Sequence, residues 1–172
     1  IFKNKVRRVL ASMGADEILS YSFISEDEGK NFGASDLVEL TNPVSKEFYY
    51  LRPSLESGLI KSVLNNFRFF DAVRVFEIGN VFSVENGSVF EKSVLGAVFA
   101  SKTKETFFEL KGVIDRFLKS IGIVDYLFAP ENSKDELKIE INGKTIGRLV
   151  KINDKNHISL MEMNLSDLFS AA

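Results

Sequence analysis

The segment 94–100 is almost entirely apolar, and polar residues precede and follow it. A short continuous apolar run of this kind favours a strand that is buried on both faces. The preceding segment, 73–84, has the composition of a long strand, and the dipeptide Asn86-Gly87 between them is typical of a tight turn. These features predict the centre of a sheet that other elements cover on both sides.

Three further segments have apolar residues at helical spacing and so predict helices. The first ends near Gly14 and the third near Gly122, because glycine readily adopts the left-handed conformation that terminates a helix. Ser54 is the predicted N-cap of the second helix, with Glu56 in its first turn. The predicted helices cover residues 2–13, 55–67 and about 106–121.

The other segments predict mostly strands. Leu19, Tyr21 and Phe23 alternate within a predicted strand at 17–24, and Ser25 and Glu28 have the spacing of a capping box for a short helix to about residue 32. Further strands are predicted at 37–40, 137–141, 146–152 and 158–164, with an Asn-Gly turn at 142–143. The fold class is therefore α+β, with a mainly antiparallel sheet flanked by helices in one domain over residues 1–172.

Composition excludes several kinds of site. The chain of 172 residues has no cysteine, which excludes disulfides, thiol catalysis and cysteine-bound zinc. The net charge of −2 is unlike that of a domain whose main partner is a phosphate backbone. No apolar run approaches the roughly 20 residues of a membrane-spanning helix. A cytoplasmic location fits these features, and the absence of an initiator methionine predicts a fragment of a larger chain.

Five short motifs occur in an order that resembles the core domain of the phenylalanyl-tRNA synthetase β subunit, in its bacterial type. Each motif is unspecific alone, and their order carries the resemblance. They are Tyr21-Ser22-Phe23, Asn42-Pro43-Val44-Ser45, Leu51-Arg52-Pro53-Ser54-Leu55, Phe76-Glu77-Ile78-Gly79-Asn80-Val81-Phe82 and Phe108-Glu109-Leu110-Lys111-Gly112.

The resemblance implies a fold like that of the class II aminoacyl-tRNA synthetases, without the residues of their catalytic signatures. The signature whose arginine binds the α-phosphate of ATP aligns with Phe82, Ser83 and Glu85, so a serine replaces the arginine. The last predicted strand also lacks the glycines and the arginine of a further signature. Because adenylate formation needs fixed positive charge at the α-phosphate, we expect no catalytic residue and no cofactor in this chain.

By the same resemblance, the domain is a non-catalytic module within a holoenzyme. The α subunit of the family carries the active site and uses ATP and Mg²⁺, and two αβ pairs form a heterotetramer. The expected partners are therefore the α subunit, the other domains of the β subunit, and tRNA through the holoenzyme. No membrane partner is expected.

The resemblance also suggests roles for particular residues. Val6, Leu10, Leu19, Tyr21 and Phe23 lie in the region through which the family dimerises, and they are either interface or simply core. Arg52 is expected to make structural hydrogen bonds, and Gly79 to mark a bulge or a close backbone approach. Pro43 and Pro53 are expected to shape their loops. No metal site is expected.

Two other functions remain open at this stage. One is an active class II-type ATP-dependent ligase domain with degenerate signatures. The other is a stand-alone α+β binding module that shares only the fold.

Overall fold

The computed structural model describes residues 2–32, 37–131, 133, 135–153 and 155–172. It confirms the α+β class. The helices are α1 (Phe2–Ser12), α2 (Glu26–Gly29), α3 (Glu56–Asn66), α4 (Phe107–Ile121) and α5 (Leu165–Ala171). The strands are β1 (Asp16–Glu17), β2 (Phe23–Ile24), β3 (Val38–Glu39), β4 (Tyr50–Leu51), β5 (Ala72–Glu85), β6 (Ser88–Ser101), β7 (Tyr126–Pro130), β8 (Glu136–Ile141), β9 (Lys144–Asn153) and β10 (Ile158–Asn164).

Seven of these strands form the main sheet, in the order β1-β5-β6-β10-β9-β8-β7. Its neighbouring strands are antiparallel except at one edge, where the two residues of β1 run parallel to β5. The strands β2, β4 and β3 form a separate small sheet. The prediction of a mainly antiparallel sheet is confirmed.

The long hairpin of β5 and β6 lies in the main sheet as predicted. The two strands pair without a break from Ala72 opposite Ser101 to Glu85 opposite Ser88. Asn86 and Gly87 close the hairpin with φ angles of 52° and 77°. Positive φ at both positions is what a two-residue type I′ turn requires, and asparagine and glycine tolerate it best.

Helices cover both faces of the sheet, and β6 is buried on each side. Its residues Leu95 and Phe99 pack into the core beneath α1, α4 and α5. Val94 and Val98 pack into a second cluster beneath α3. The apolar run at 94–100 is thus the central strand that the sequence predicted, because consecutive side chains reach opposite apolar layers.

The predicted helix ends are mostly confirmed. The helix α4 ends at Gly122, whose φ of 102° is left-handed and whose N–H donates to the carbonyls of Leu118 and Lys119. The capping box of Ser25 and Glu28 is present, although α2 ends at Gly29 rather than near residue 32. At α3 the N-cap is Leu55, one residue later than predicted.

The predicted strand at 17–24 is wrong. The chain forms only β1 and β2 there, and these belong to different sheets. After Ile18 donates to the carbonyl of Phe76, the segment leaves the main sheet. Farther along β5, the N–H of Phe82 donates instead to the carbonyl of Arg52. The alternation at 19–23 reflects side chains that face water alternately, rather than a continuous strand with one buried face.

Three of the described elements were not predicted at all. They are the short strand β4, the edge strand β7 and the final helix α5, in which Leu165 and Leu168 are buried. The strand predicted at 37–40 is present but reduced to Val38–Glu39. Among the residues that the structure describes, no helix is long and apolar enough to cross a membrane.

Candidate functional site

The degenerate nucleotide signature lies at the outer end of β5. Because side chains alternate along a strand, Ser83 and Glu85 share the α3 side of the sheet with Val81, whereas Phe82 lies on the opposite side. The Ser83 hydroxyl donates to Glu85 Oε1 at 3.3 Å, and Lys92 Nζ donates to the same oxygen at 2.8 Å. The hydrogen bond from Lys92 lowers the pKa of the Glu85 carboxyl. The polar side chains at this end of the hairpin are therefore hydrogen-bonded to one another.

Next to it is a shallow depression of about 370 Å³, which we call the sheet hollow. Three cations line the hollow, and each is paired with a carboxylate of the same chain. Such exposed ion pairs contribute little to stability, because water and salt screen them. They nevertheless neutralise the positive charge that a nucleotide phosphate would need. The pairs are Lys92–Glu85 at 2.8 Å, Lys138–Glu131 at 3.0 Å and Arg148–Glu56 at 2.7 Å.

A carboxylate lies at the inner wall of the hollow. Glu162 accepts hydrogen bonds from the backbone N–H of Leu55 and the hydroxyl of Ser54, both at 2.9 Å. Burial raises the pKa of the Glu162 carboxyl, and these two donors partly oppose that effect. Its side chain satisfies one backbone donor and one side-chain donor at the start of α3, where carboxylates are favoured. Sequence reasoning missed Glu162, although a single glutamate within the apolar strand β10 is a usable signal.

A buried ion pair lies deeper on the same side of the sheet. Arg52 Nη1 donates to Glu77 Oε1 at 2.8 Å, and the two side chains are only 5% and 1% exposed. Ser20 joins the pair, because its hydroxyl accepts from Arg52 Nη1 at 2.8 Å and donates to Glu77 Oε2 at 2.6 Å. Arg52 Nε also donates to the carbonyl of Asn80 at 3.0 Å. We call Arg52, Glu77 and Ser20 the buried triad.

Gly79 makes room for this triad. A Cβ on Gly79 would lie 2.3 Å from Arg52 Nη2, closer than any side chain allows. The expected bulge at Gly79 is absent, because β5 pairs with β6 without a break at this position. Gly79 is instead a position where another group approaches the backbone closely. The approaching group is a side chain rather than the backbone. Pro53 follows Arg52 and contributes to the wall of the sheet hollow.

The five expected interface residues fall into two groups. Leu19, Tyr21 and Phe23 are 82%, 77% and 38% exposed, respectively. Val6 and Leu10 are 0% and 2% exposed and belong to the domain's own core. Of the two alternatives stated for Val6 and Leu10, interface or core, this burial favours the core, because a side chain enclosed within the domain offers no surface to a partner.

Tyr21 and Phe23 form one surface with Phe48, which the sequence analysis did not select, and Leu19 is exposed two residues before Tyr21. The Phe48 ring makes edge-to-face contacts with Tyr21 and Phe23, with centroids 5.6 and 5.8 Å apart. We call Leu19, Tyr21, Phe23 and Phe48 the aromatic ledge. It borders a cleft of about 720 Å³, whose opposite wall is α3, with Gly58 and Lys61 among its residues. Pro43 lies in the irregular segment between β3 and β4, next to Val44, which is 93% exposed.

Within the described residues, no three histidine or acidic side chains are arranged to hold a metal ion. Among the buried or partly buried polar groups near the hollow are the triad and Glu162. In both, the donors and acceptors are occupied by other groups of the same chain. These internal hydrogen bonds stabilise the domain's shape.

Comparison with known proteins gives consistent results. Residues 1–157 match the family described as the phenylalanyl tRNA synthetase beta chain CLM domain. The phenylalanine–tRNA ligase beta subunit of Buchnera aphidicola subsp. Schizaphis graminum is 30% identical over 182 residues, covering 94% of this chain and 23% of that protein. The corresponding subunit of Dehalococcoides mccartyi is 28% identical over 197 residues, covering 99% of this chain and 24% of that protein.

The chain thus spans about a quarter of the length of these two relatives. Among solved structures, the pyrrolysyl tRNA synthetase of Desulfitobacterium hafniense is similar with a TM-score of 0.81 at 18% identity. That similarity covers 97% of this chain and 66% of the other. At this identity it establishes the fold alone, which is that of the class II aminoacyl-tRNA synthetases.

Proposed function

Because the chain belongs to the phenylalanyl-tRNA synthetase β-chain family, we propose that it is the non-catalytic core module of a phenylalanine–tRNA ligase β subunit. In this proposal it contributes a binding surface rather than chemistry. The module packs against the catalytic α subunit, supports that subunit's active site and helps to assemble the αβ heterotetramer. ATP and Mg²⁺ are used by the α subunit, and this domain binds no cofactor.

The charge of the sheet hollow supports the absence of catalysis. Adenylate formation concentrates negative charge at the α-phosphate, and a fixed arginine is the side chain best suited to stabilise it. Ser83 carries no charge, and the nearby Lys92 and Arg148 are each paired with a glutamate. Loss of one preorganised electrostatic partner typically slows such a reaction by about 10²–10³-fold.

The observation that carries the proposal is the aromatic ledge. Leu19 and Tyr21 expose most of their surface, yet the segment that bears them is fixed by the buried triad. Aromatic residues that protrude from a fixed backbone are typical of the central residues of protein interfaces. We therefore assign the α subunit to this surface. Contacts with the other β-subunit domains and with tRNA belong to the cytoplasmic holoenzyme.

Copurification of the two subunits tests this assignment. Full-length β subunit carrying Tyr21→Asp should retain much less α subunit than the unsubstituted protein, because the aspartate would be desolvated without a partner. Phe108→Asp is the matched control, since Phe108 is 74% exposed on α4, away from the ledge. Equal recovery of α subunit with both folded variants would refute the assignment.

A further inference from the structure

The segment that carries the aromatic ledge has few backbone contacts of its own. Between β1 and β2, the described backbone bonds beyond the strands are the N–H of Ile18 to Phe76 and the N–H of Arg52 to Ser22. Ser20, midway between them, has no such backbone N–H bond. Its hydroxyl is bonded to Arg52 and Glu77, and its carbonyl accepts from Arg52 Nη1 at 3.5 Å. The position of Leu19 and Tyr21 therefore depends on where Ser20 is anchored.

The buried triad is an unusual anchor, because burying a charged pair is costly. The desolvation of two charges offsets most of their attraction, and well-packed apolar replacements are often as stable or more stable. Stability alone thus gives no reason for Arg52 and Glu77 to be charged. Their fixed geometry has a specific consequence, however. With the Ser20 side chain directed inward, the neighbouring side chains of Leu19 and Tyr21 are directed outward.

We propose that Arg52, Glu77 and Ser20 are positioning residues that hold the aromatic ledge in its binding conformation before the partner arrives. The inference rests on the proposed function, in which the ledge binds the α subunit. A surface that is ordered in advance loses less conformational entropy on binding. Without the triad, the ledge is still present but must be ordered at the moment of association.

Gly58 provides an independent way to disturb this arrangement. It lies in α3, and a Cβ there would be 2.3 Å from the Ser20 hydroxyl oxygen. Alanine at this position must displace Ser20, although alanine in a helix is intrinsically more favourable than glycine. Gly112 in α4 is the matched control, because a Cβ there meets nothing within 4 Å.

The test measures the rate at which labelled full-length β subunit dissociates from the intact complex with α. Ser20→Ala and Gly58→Ala should each raise this rate about tenfold, the effect of losing the order of one or two interface side chains. Gly112→Ala should leave the rate unchanged. The thermal unfolding midpoint of the β subunit should also fall with Ser20→Ala, because the buried Glu77 loses a hydrogen-bond donor.

A double substitution separates positioning from simple stability. Arg52→Met with Glu77→Leu should keep the unfolding midpoint and still raise the dissociation rate, an effect that a purely structural pair would not produce. If that variant does not fold, Ser20→Ala decides the question. Unchanged dissociation in Ser20→Ala and Gly58→Ala, with faster dissociation in Tyr21→Asp, would overturn the positioning role alone. Unchanged dissociation in Tyr21→Asp would overturn the proposed function itself.

Discussion

The sheet hollow and the aromatic ledge differ in whether their side chains already have partners within the chain. In the hollow, each of the three cations has a carboxylate partner in the same chain. On the ledge, the rings contact one another, but Leu19 and Tyr21 remain largely exposed. A polar surface that is already paired needs no ligand, whereas clustered apolar side chains gain stability when a partner covers them. This contrast supports our proposal that the ledge, rather than the hollow, is the surface that binds a partner.

The largest expected effect concerns the ion pair beneath the ledge. Glu77→Ala leaves Arg52 buried without a counter-charge, which should lower the free energy of unfolding by about 3–5 kcal/mol. Glu85→Ala on the same strand removes an exposed partner of Lys92, which should change the free energy of unfolding far less, because solvent screens the exposed pair. Urea denaturation measures the free energy of unfolding of each variant. Similar losses would mean that the buried pair and the exposed pair do not differ as described.

The next effect concerns the ledge itself. In equilibrium binding, Tyr21→Asp should weaken association with the α subunit about 30-fold or more, the range of a central interface residue. Phe108→Asp should weaken it little. Analytical ultracentrifugation measures the affinity of each variant for the α subunit. Circular dichroism checks that both variants are folded. A loss of affinity in Phe108→Asp alone would move the interface to α4.

A smaller effect concerns the pH dependence of stability in the hollow. The pKa of Glu162 is raised above its ordinary value of 4.5, so the folded state binds more protons than the unfolded state just above pH 4.5. Stability from this group is therefore lost as pH rises through the raised pKa. Glu162→Gln should remove that loss and flatten the curve of unfolding free energy against pH.

Glu85→Gln is the control for this curve, because the sign is opposite. The pKa of Glu85 is lowered, so its contribution is present above its ordinary value of 4.5 and disappears as pH falls through the lowered pKa. Urea denaturation between about pH 2 and 8 compares the two variants, so that the range includes the lowered pKa of Glu85. An unchanged slope in Glu162→Gln would show that this carboxylate is not the group responsible.

The last prediction is that Ser83→Arg has no effect on activity. Ser83→Arg restores the arginine of one nucleotide signature but adds it beside Glu85 and Lys92, which are already paired. The last strand, β10, still has Glu162 in place of any glycine or arginine. Phenylalanine-dependent exchange between ATP and pyrophosphate should stay at background. Turnover gained from this single change would show that the hollow remains a functional nucleotide site.

Regular periodicity made most of the fold predictable. The strand pair around Asn86-Gly87 and the helix ending at Gly122 follow from local composition and turn chemistry. The segment 17–24 was mispredicted, because its alternation is also compatible with an irregular chain that crosses between two sheets. The edge strand β7 and helix α5 gave weaker local patterns and depend on tertiary packing.

The candidate site was predictable only where a residue type is unusual in its context. Ser83 could be selected from its alignment, and Arg52 and Gly79 from their motifs. The partnership of Arg52 with Ser20 and Glu77 could not be selected, because it joins positions 32 and 25 residues apart. Val6 and Leu10 were ambiguous for a physical reason, since helix positions in a core and in an interface have the same apolar composition.

The central claim is that this chain contributes a surface and no chemistry. The most direct test is phenylalanine-dependent exchange between ATP and pyrophosphate by β subunit that has been freed of α subunit. The account predicts exchange at background, with activity appearing only when α subunit is added. Exchange above background that disappears with Arg148→Ala, a residue of the sheet hollow, would contradict it.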